Sequence, residues 1–153
     1  MKRAGLLLVV LIAAVSIAAA QGSTDDVVSQ DDREAITQTA LDYIEGWYTG
    51  DAGRMERALH PELSKRIVAL DRSTGKNRLQ NMSAEQLVQA TGAGFGKSVP
   101  EDERQMDVTI LDIFENAASV KIVARDWIDY LHVGRVDGEW KIINVLWEMK
   151  PGG

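Results

Sequence analysis

Apolar positions change period several times along this chain, and each change marks an element. Ile36, Ala40, Tyr43, Ile44 and Trp47 recur at helical spacing and form one stripe. Asp31 and Asp32 place acid at the positive end of that helix, Gly50 ends it, and Asp51 caps a second, short one. The short helix turns Met55, Ala58 and Leu59 inward and stops at His60-Pro61, where His60 would cap free carbonyls. Residues 65–72 and 77–81 read as a small hairpin around Ser73-Thr74-Gly75-Lys76. Ser83 and Gln86 form a capping box ahead of a third helix over 84–93. A Gly-rich loop spans 92–100. Residues 106–114 alternate as a strand, Glu115-Asn116-Ala117 turns, and 118–125 returns.

The stretch 126–149 holds three of the four tryptophans and organises the rest. Asp137-Gly138 between apolar runs predicts a type I′ turn, because Asp and Gly tolerate the positive φ it needs. A two-residue loop sets Val136 against Glu139, Arg135 against Trp140, Val133 against Ile142, Leu131 against Asn144, Asp129 against Leu146 and Trp127 against Glu148. In that register the other face carries Ile128, Tyr130 and His132 beside Ile143, Val145 and Trp147. A bulge would shift the register by one. Both faces carry large apolar groups, so both need cover. The chain's helices cover one, and a second copy of the chain covers the other. The expected architecture is α+β: three N-terminal helices packed on a curved antiparallel sheet.

The N-terminus adds a destination. Met1-Lys2-Arg3 precedes an apolar run over 6–20 that ends Ala18-Ala19-Ala20. This reads as a cleavable signal peptide over 1–20, followed by a flexible polar leader over 21–30 and one domain over 31–150. The run is short for a membrane span of about 20 residues. The mature chain is thus expected in the periplasm or secreted, with no membrane association after cleavage. Cleavage removes Lys2 and Arg3 and takes the formal charge from −6 to −8. An acidic domain lacks the Lys/Arg that nucleic-acid phosphates require. The chain has no cysteine, which excludes disulfides, thiol catalysis and zinc-thiolate sites.

Three stretches, YIEGWYTGDAGRMERALHPEL at 43–63, NMSAEQLVQAT at 81–91 and DYLHVGRVDGEWKIINVLWE at 129–148, resemble the putative lumazine-binding family of the nuclear transport factor 2-like superfamily. The resemblance spans roughly 31–150. It implies a cone, with the first helix across the concave face of the sheet, an enclosed pocket in many members, and dimers through the sheet. The superfamily contains isomerases, dehydratases, polyketide cyclases and non-catalytic binding domains, so fold does not choose a function. No lumazine-contact motif carries over to particular residues.

Asp129 is the sharpest chemical candidate. Among apolar neighbours its carboxylate would be partly desolvated, as suits a general base. The expected pocket is Tyr43, Trp47, Trp127, Asp129, Leu131, Asn144 and Leu146, with Asn144 ready to hydrogen-bond a ligand carbonyl. The expected dimer face is Ile128, Tyr130, His132, Ile143, Val145 and Trp147. Three functions follow. The leading one is binding of a small apolar ligand. The second is a cofactor-free lyase or isomerase using Asp129 with Tyr43, Asn144 or His60. The third is an interaction module with a filled cone. GAGFGKS at 92–98 falls one residue short of a phosphate loop and follows a helix rather than a strand. His60 and His132 are the only histidines, with no metal-ligand spacing, so neither metal nor cofactor is called for. Asn81-Met82-Ser83 matches a glycosylation sequon, but Ser83 already caps a helix.

Overall fold

The computed structural model describes residues 29–152. The predicted signal peptide and residues 21–28 of the leader lie outside the described residues. Ser29 and Gln30, expected in the leader, cap and open the first helix. The Ser29 hydroxyl accepts from the Asp32 N–H and caps α1, Gln30–Thr49. Gly50 closes α1 at φ 73, a left-handed conformation that favours glycine. Asp51 accepts from the Arg54 N–H to start α2, Ala52–Ala58. The capping box of Ser83 and Gln86 forms with both bonds in place, and α3 runs Ala84–Gly92.

Strands β1, Leu59–Asp71, and β2, Lys76–Ser83, form the small hairpin. They are longer than the sequence suggests. β1 begins where α2 ends, so His60 lies in a strand rather than capping a helix, and its Nδ1 accepts from the Glu62 N–H. The remaining strands are β3, Met106–Phe114; β4, Ala117–Ala124; β5, Trp127–Val136; and β6, Glu139–Met149. All six join one curved sheet in the order β2-β1-β6-β5-β4-β3. The class is α+β as expected, but the sheet is not wholly antiparallel. β1 docks on β6 in parallel, with Lys65 opposite Val145 and Ile67 opposite Trp147. That seam joins the two hairpins.

The Asp137-Gly138 turn has φ 51 and 84, as the two-residue loop requires. From Val136–Glu139 to Val133–Ile142 the ladder follows the predicted register. Ile143 is then an extra residue on β6, a bulge, and pairing resumes one step on: His132 with Asn144, Leu131 with Val145, Asp129 with Trp147, Trp127 with Met149. The bulge reverses every later β6 side chain relative to expectation. Val145 is fully buried and Trp147 turns inward, so neither belongs to the outer face. Asn144 and Leu146 turn outward and leave the expected pocket set; Leu146 is 48% exposed. Ile143 itself stays outside, where its methyls cover Gly134.

The core lies between α1 and the inner face of the sheet. Ile36, Ala40 and Ile44 of α1 pack with Val120, Ile122, Leu131, Val133, Ile142 and Val145, all essentially inaccessible to water. Burial of each Ile, Leu or Val among them contributes about 1.5–3 kcal/mol. Tyr48, one position off the predicted stripe, is fully buried; its ring packs on Trp127 and its hydroxyl oxygen accepts from the Arg125 N–H.

Candidate functional site: a buried lysine–aspartate pair beneath an aromatic cavity

β5 alternation points Trp127, Asp129, Leu131 and Val133 toward α1. β1 alternation points Leu63 and Lys65 the same way, and the parallel seam brings β1 beside β6. Lys65 and Asp129, 64 residues apart, therefore meet inside the cone. Lys65 Nζ donates to Asp129 Oδ1 at 2.7 Å and to the Tyr43 hydroxyl oxygen at 2.5 Å. The Tyr43 O–H donates to Asp129 Oδ2 at 3.2 Å, and Trp127 Nε1–H donates to the same oxygen at 2.7 Å. The carboxylate thus accepts from three donors on three elements. Asp129 is 0% exposed and Lys65 only 8%. Such burial of two charges requires pairing and good hydrogen bonds, and both are present.

The electrostatics follow from burial. Desolvation pulls the Lys65 ammonium below its usual value, and the Asp129 charge opposes that pull. Desolvation and then the Asp129 charge hold the Tyr43 phenol well above its usual value, so Tyr43 keeps its proton.

A cavity of about 280 Å³ opens over this cluster, lined by Tyr43, Trp47, Lys65, Met82, Leu87, Asp126, Trp127, Trp147 and Met149. Its walls are almost wholly apolar. Trp47 and Trp127 meet edge to face, with centroids 6.4 Å apart at 84°. Lys65 Nζ lies 4.9 Å from the Trp147 ring centroid and 5.3 Å from that of Tyr43, within cation–π range. The ammonium has three N–H donors, and Asp129 and Tyr43 take two. It is the polar group of the cluster best placed to meet a ligand.

Of the residues read from sequence as pocket, Tyr43, Trp47 and Trp127 line this cavity. Asp129 lies behind its three donors rather than in the lining. Leu131 is deeper, in the core. Asn144 is on the far side of the sheet, where its Oδ1 accepts from Arg66. Asp129 pairs with neither Arg125, which bridges Glu103 and Asp126, nor Arg135, which bridges Asp32. Ile128, Tyr130, His132 and Ile143 share the outer face with Leu146. Sequence reading missed Lys65, Trp147 as pocket wall, Met82 and Leu87. Lys65 had no local signal: in LSKRIVAL both parities contain apolar residues, so the inward one is not marked.

The Gly-rich segment coils into a short 3-10 turn, Phe95–Ser98, and Gly96 presses against Trp47. It supports a cavity wall. Between α2 and α3 a larger depression of about 570 Å³ is open to solvent, with Glu56, Glu85 and Gln89 along it. Among the described residues no three His, Asp or Glu side chains gather as metal ligands, and no helix is long and apolar enough to cross a membrane.

A family model described as putative lumazine-binding matches residues 31–148. No curated protein matches the sequence. Among solved structures, an NTF2-like protein from Shewanella baltica is similar, with 21% identity, TM-score 0.62, and coverage of 80% of this chain and 96% of that one. An NTF2-like protein from Methylobacillus flagellatus has 20% identity, TM-score 0.62, and coverage of 81% and 96%. A third, from Novosphingobium aromaticivorans and described as cystatin-like in fold, has 10% identity, TM-score 0.59, and coverage of 80% and 84%. At these identities the likeness is one of fold.

Proposed function

The chain belongs to the putative lumazine-binding family, and from that premise we propose that it binds a flat, mostly apolar small molecule with one hydrogen-bond acceptor at its end. The observation that carries this reading is the Lys65 ammonium at the base of a tryptophan-walled cavity. Apolar walls supply affinity, and one convergent polar group supplies orientation. The cavity is slightly below the roughly 300 Å³ at which drug-sized sites begin. It suits a molecule of one or two rings. Because Asp129 already neutralises Lys65, a neutral carbonyl is a better match than a second carboxylate. Lumazine, the flat bicyclic dione in the family's description, matches this in shape and in its carbonyls and carries further ring N–H and nitrogen groups.

Calorimetric titration tests this reading. Lumazine is expected to bind at least about tenfold more tightly than naphthalene, the same two-ring shape without an acceptor, since a hydrogen bond to a charged donor contributes about 1.5–3 kcal/mol. Equal affinities, or no heat from either, would remove the reading. The lyase or isomerase alternative needs Asp129 to face its substrate, whereas the carboxylate is enclosed and accepts three hydrogen bonds.

We also propose a dimer through the outer face of the sheet. Tyr130 is 45% exposed and Leu146 48%, they are cross-strand partners, and Ile143 lies nearby. Val68 and its partner Leu79 extend the apolar surface. A two-fold contact would bury it. Leu146→Glu, on the side away from the cavity, is expected to convert dimer to monomer in sedimentation velocity. A wild type already monomeric at micromolar concentration would refute the dimer, and a variant that stays dimeric would place the interface elsewhere.

Export remains our reading of residues 1–20. It is supported by the basic start, the apolar run and the Ala18-Ala19-Ala20 end. Intact mass of the exported protein is expected to place the N-terminus within a few residues of Gln21. A mass that includes residues 1–20 would refute it.

A further inference from the structure

The cluster has a capacity beyond binding. We propose that Lys65 is a nucleophile that forms a reversible imine with an aromatic aldehyde or ketone seated in the cavity, with Asp129 as the adjoining proton acceptor. The inference rests on the reading of the cavity as a small-ligand site. Four features of the geometry carry it. Lys65 is one of the residues lining the cavity, and its Nζ lies 4.9 Å from the ring centroid of Trp147, another lining residue, so a carbonyl seated against that ring is close to the amine. Asp129 Oδ1 is 2.7 Å away and can take a proton from the ammonium. The Tyr43 oxygen at 2.5 Å fixes the direction of a second N–H. The walls of the cavity are almost wholly apolar, which limits the water that would hydrolyse an imine. Burial also pulls the ammonium down from its usual value, which favours the neutral amine that attack requires.

The step balances without any further reagent. One proton moves from the Lys65 ammonium to Asp129, freeing the nitrogen lone pair. That pair forms a C–N bond to the carbonyl carbon as the C=O π pair moves to oxygen. The oxygen gains a proton from the nitrogen, giving a neutral carbinolamine. Asp129 then returns its proton to the nitrogen 2.7 Å away, the nitrogen passes one to the hydroxyl, and the hydroxyl leaves as water as the nitrogen lone pair forms C=N. Ammonium plus carbonyl becomes iminium plus water. The positive charge stays on Nζ, and Asp129 ends ionised beside it, so the buried pair remains neutralised throughout the net reaction.

The experiment uses benzaldehyde with cyanoborohydride near neutral pH, followed by peptide mass analysis of the intact folded protein's digest. Reductive trapping is expected to add one benzyl group to Lys65 in preference to Lys76, Lys97, Lys121, Lys141 and Lys150. Excess benzamide, which has the same ring and an acceptor but no electrophilic carbonyl, is expected to suppress it. Lys65→Arg keeps a cation beside Asp129 and should lose this modification. Benzamide binding is followed in parallel by tryptophan fluorescence. If benzamide binds but Lys65 is labelled no faster than the surface lysines, the imine is overturned and the binding reading stands. If benzamide does not bind and Lys65 is not labelled, both fall.

Discussion

Asp129→Ala is expected to lower unfolding stability by about 3–5 kcal/mol, the scale for removing one partner of a buried ion pair. Asp129 is fully buried, and its loss leaves three donors without their acceptor: Lys65 Nζ, the Tyr43 O–H and the Trp127 N–H. The ammonium is the costly one, because an unpaired charge in an apolar cavity must either neutralise or draw in water. The double variant Lys65→Met/Asp129→Leu removes both charges and keeps volume. It should be clearly more stable than Asp129→Ala, because replacing a whole buried pair with apolar groups is often near neutral. Urea unfolding measures both, with an unchanged slope showing that the denatured state is the same. By contrast, Arg125 and Glu103 form an exposed pair, and breaking it should cost about 0–1 kcal/mol. A loss for Asp129→Ala as small as that would mean the buried pair is not a structural centre. The alkaline limb follows the same cluster. Below 10.5 the folded chain binds Lys65's proton less readily than the unfolded chain, so this contribution to stability rises as pH climbs toward that value. Above 10.0 folded Tyr43 keeps a proton that the unfolded chain loses, so its contribution falls with further rise.

Gly96→Ala is expected to cost about 1–3 kcal/mol, the usual scale of overpacking, and to narrow the cavity. A Cβ at Gly96 would be 2.3 Å from the Trp47 carbonyl oxygen and 2.6 Å from its indole Cδ1. The oxygen belongs to the α1 backbone and cannot rotate away, so either the 3-10 turn or Trp47 must move. The φ of Gly96 is not positive, so the cost is steric and not conformational. Gly53→Ala is the matched control. It sits within α2, its Cβ would meet nothing nearer than 3.4 Å, and Ala there should gain about 0.5–1 kcal/mol. Thermal unfolding of the two variants, with lumazine titrated into each, separates packing from binding. If Gly96→Ala matches the wild type in both, Trp47 is not held by this contact.

These residues also show where sequence reading stops. Ser83 with Gln86, Asp51, Gly50 and Asp137-Gly138 were legible because a cap or a tight turn is decided within four residues, by one side chain and one backbone angle. The α1 stripe was legible because a buried helix face imposes a 3.6-residue period. The α+β class followed from those elements and from the family resemblance. The β6 face was not legible. Apolar positions there run Trp140, Ile142, Ile143, Val145, Leu146 and Trp147, covering both parities, and a period of two survives only until a residue is added. The tertiary structure placed that residue at Ile143, covering Gly134, and so turned Val145 and Trp147 inward and Asn144 and Leu146 out. Asp129 kept its predicted inward face because β5 has no extra residue before the shift. Its partner could not be foreseen. Lys65 reaches Asp129 only because β1 docks in parallel on β6, a contact between chain segments far apart in sequence that no local pattern encodes. The sequence by itself determined the elements, their ends and the inward carboxylate. Tertiary packing decided which cation it meets, because only the assembled sheet brings a charged side chain from β1 into an interior where solvation no longer competes.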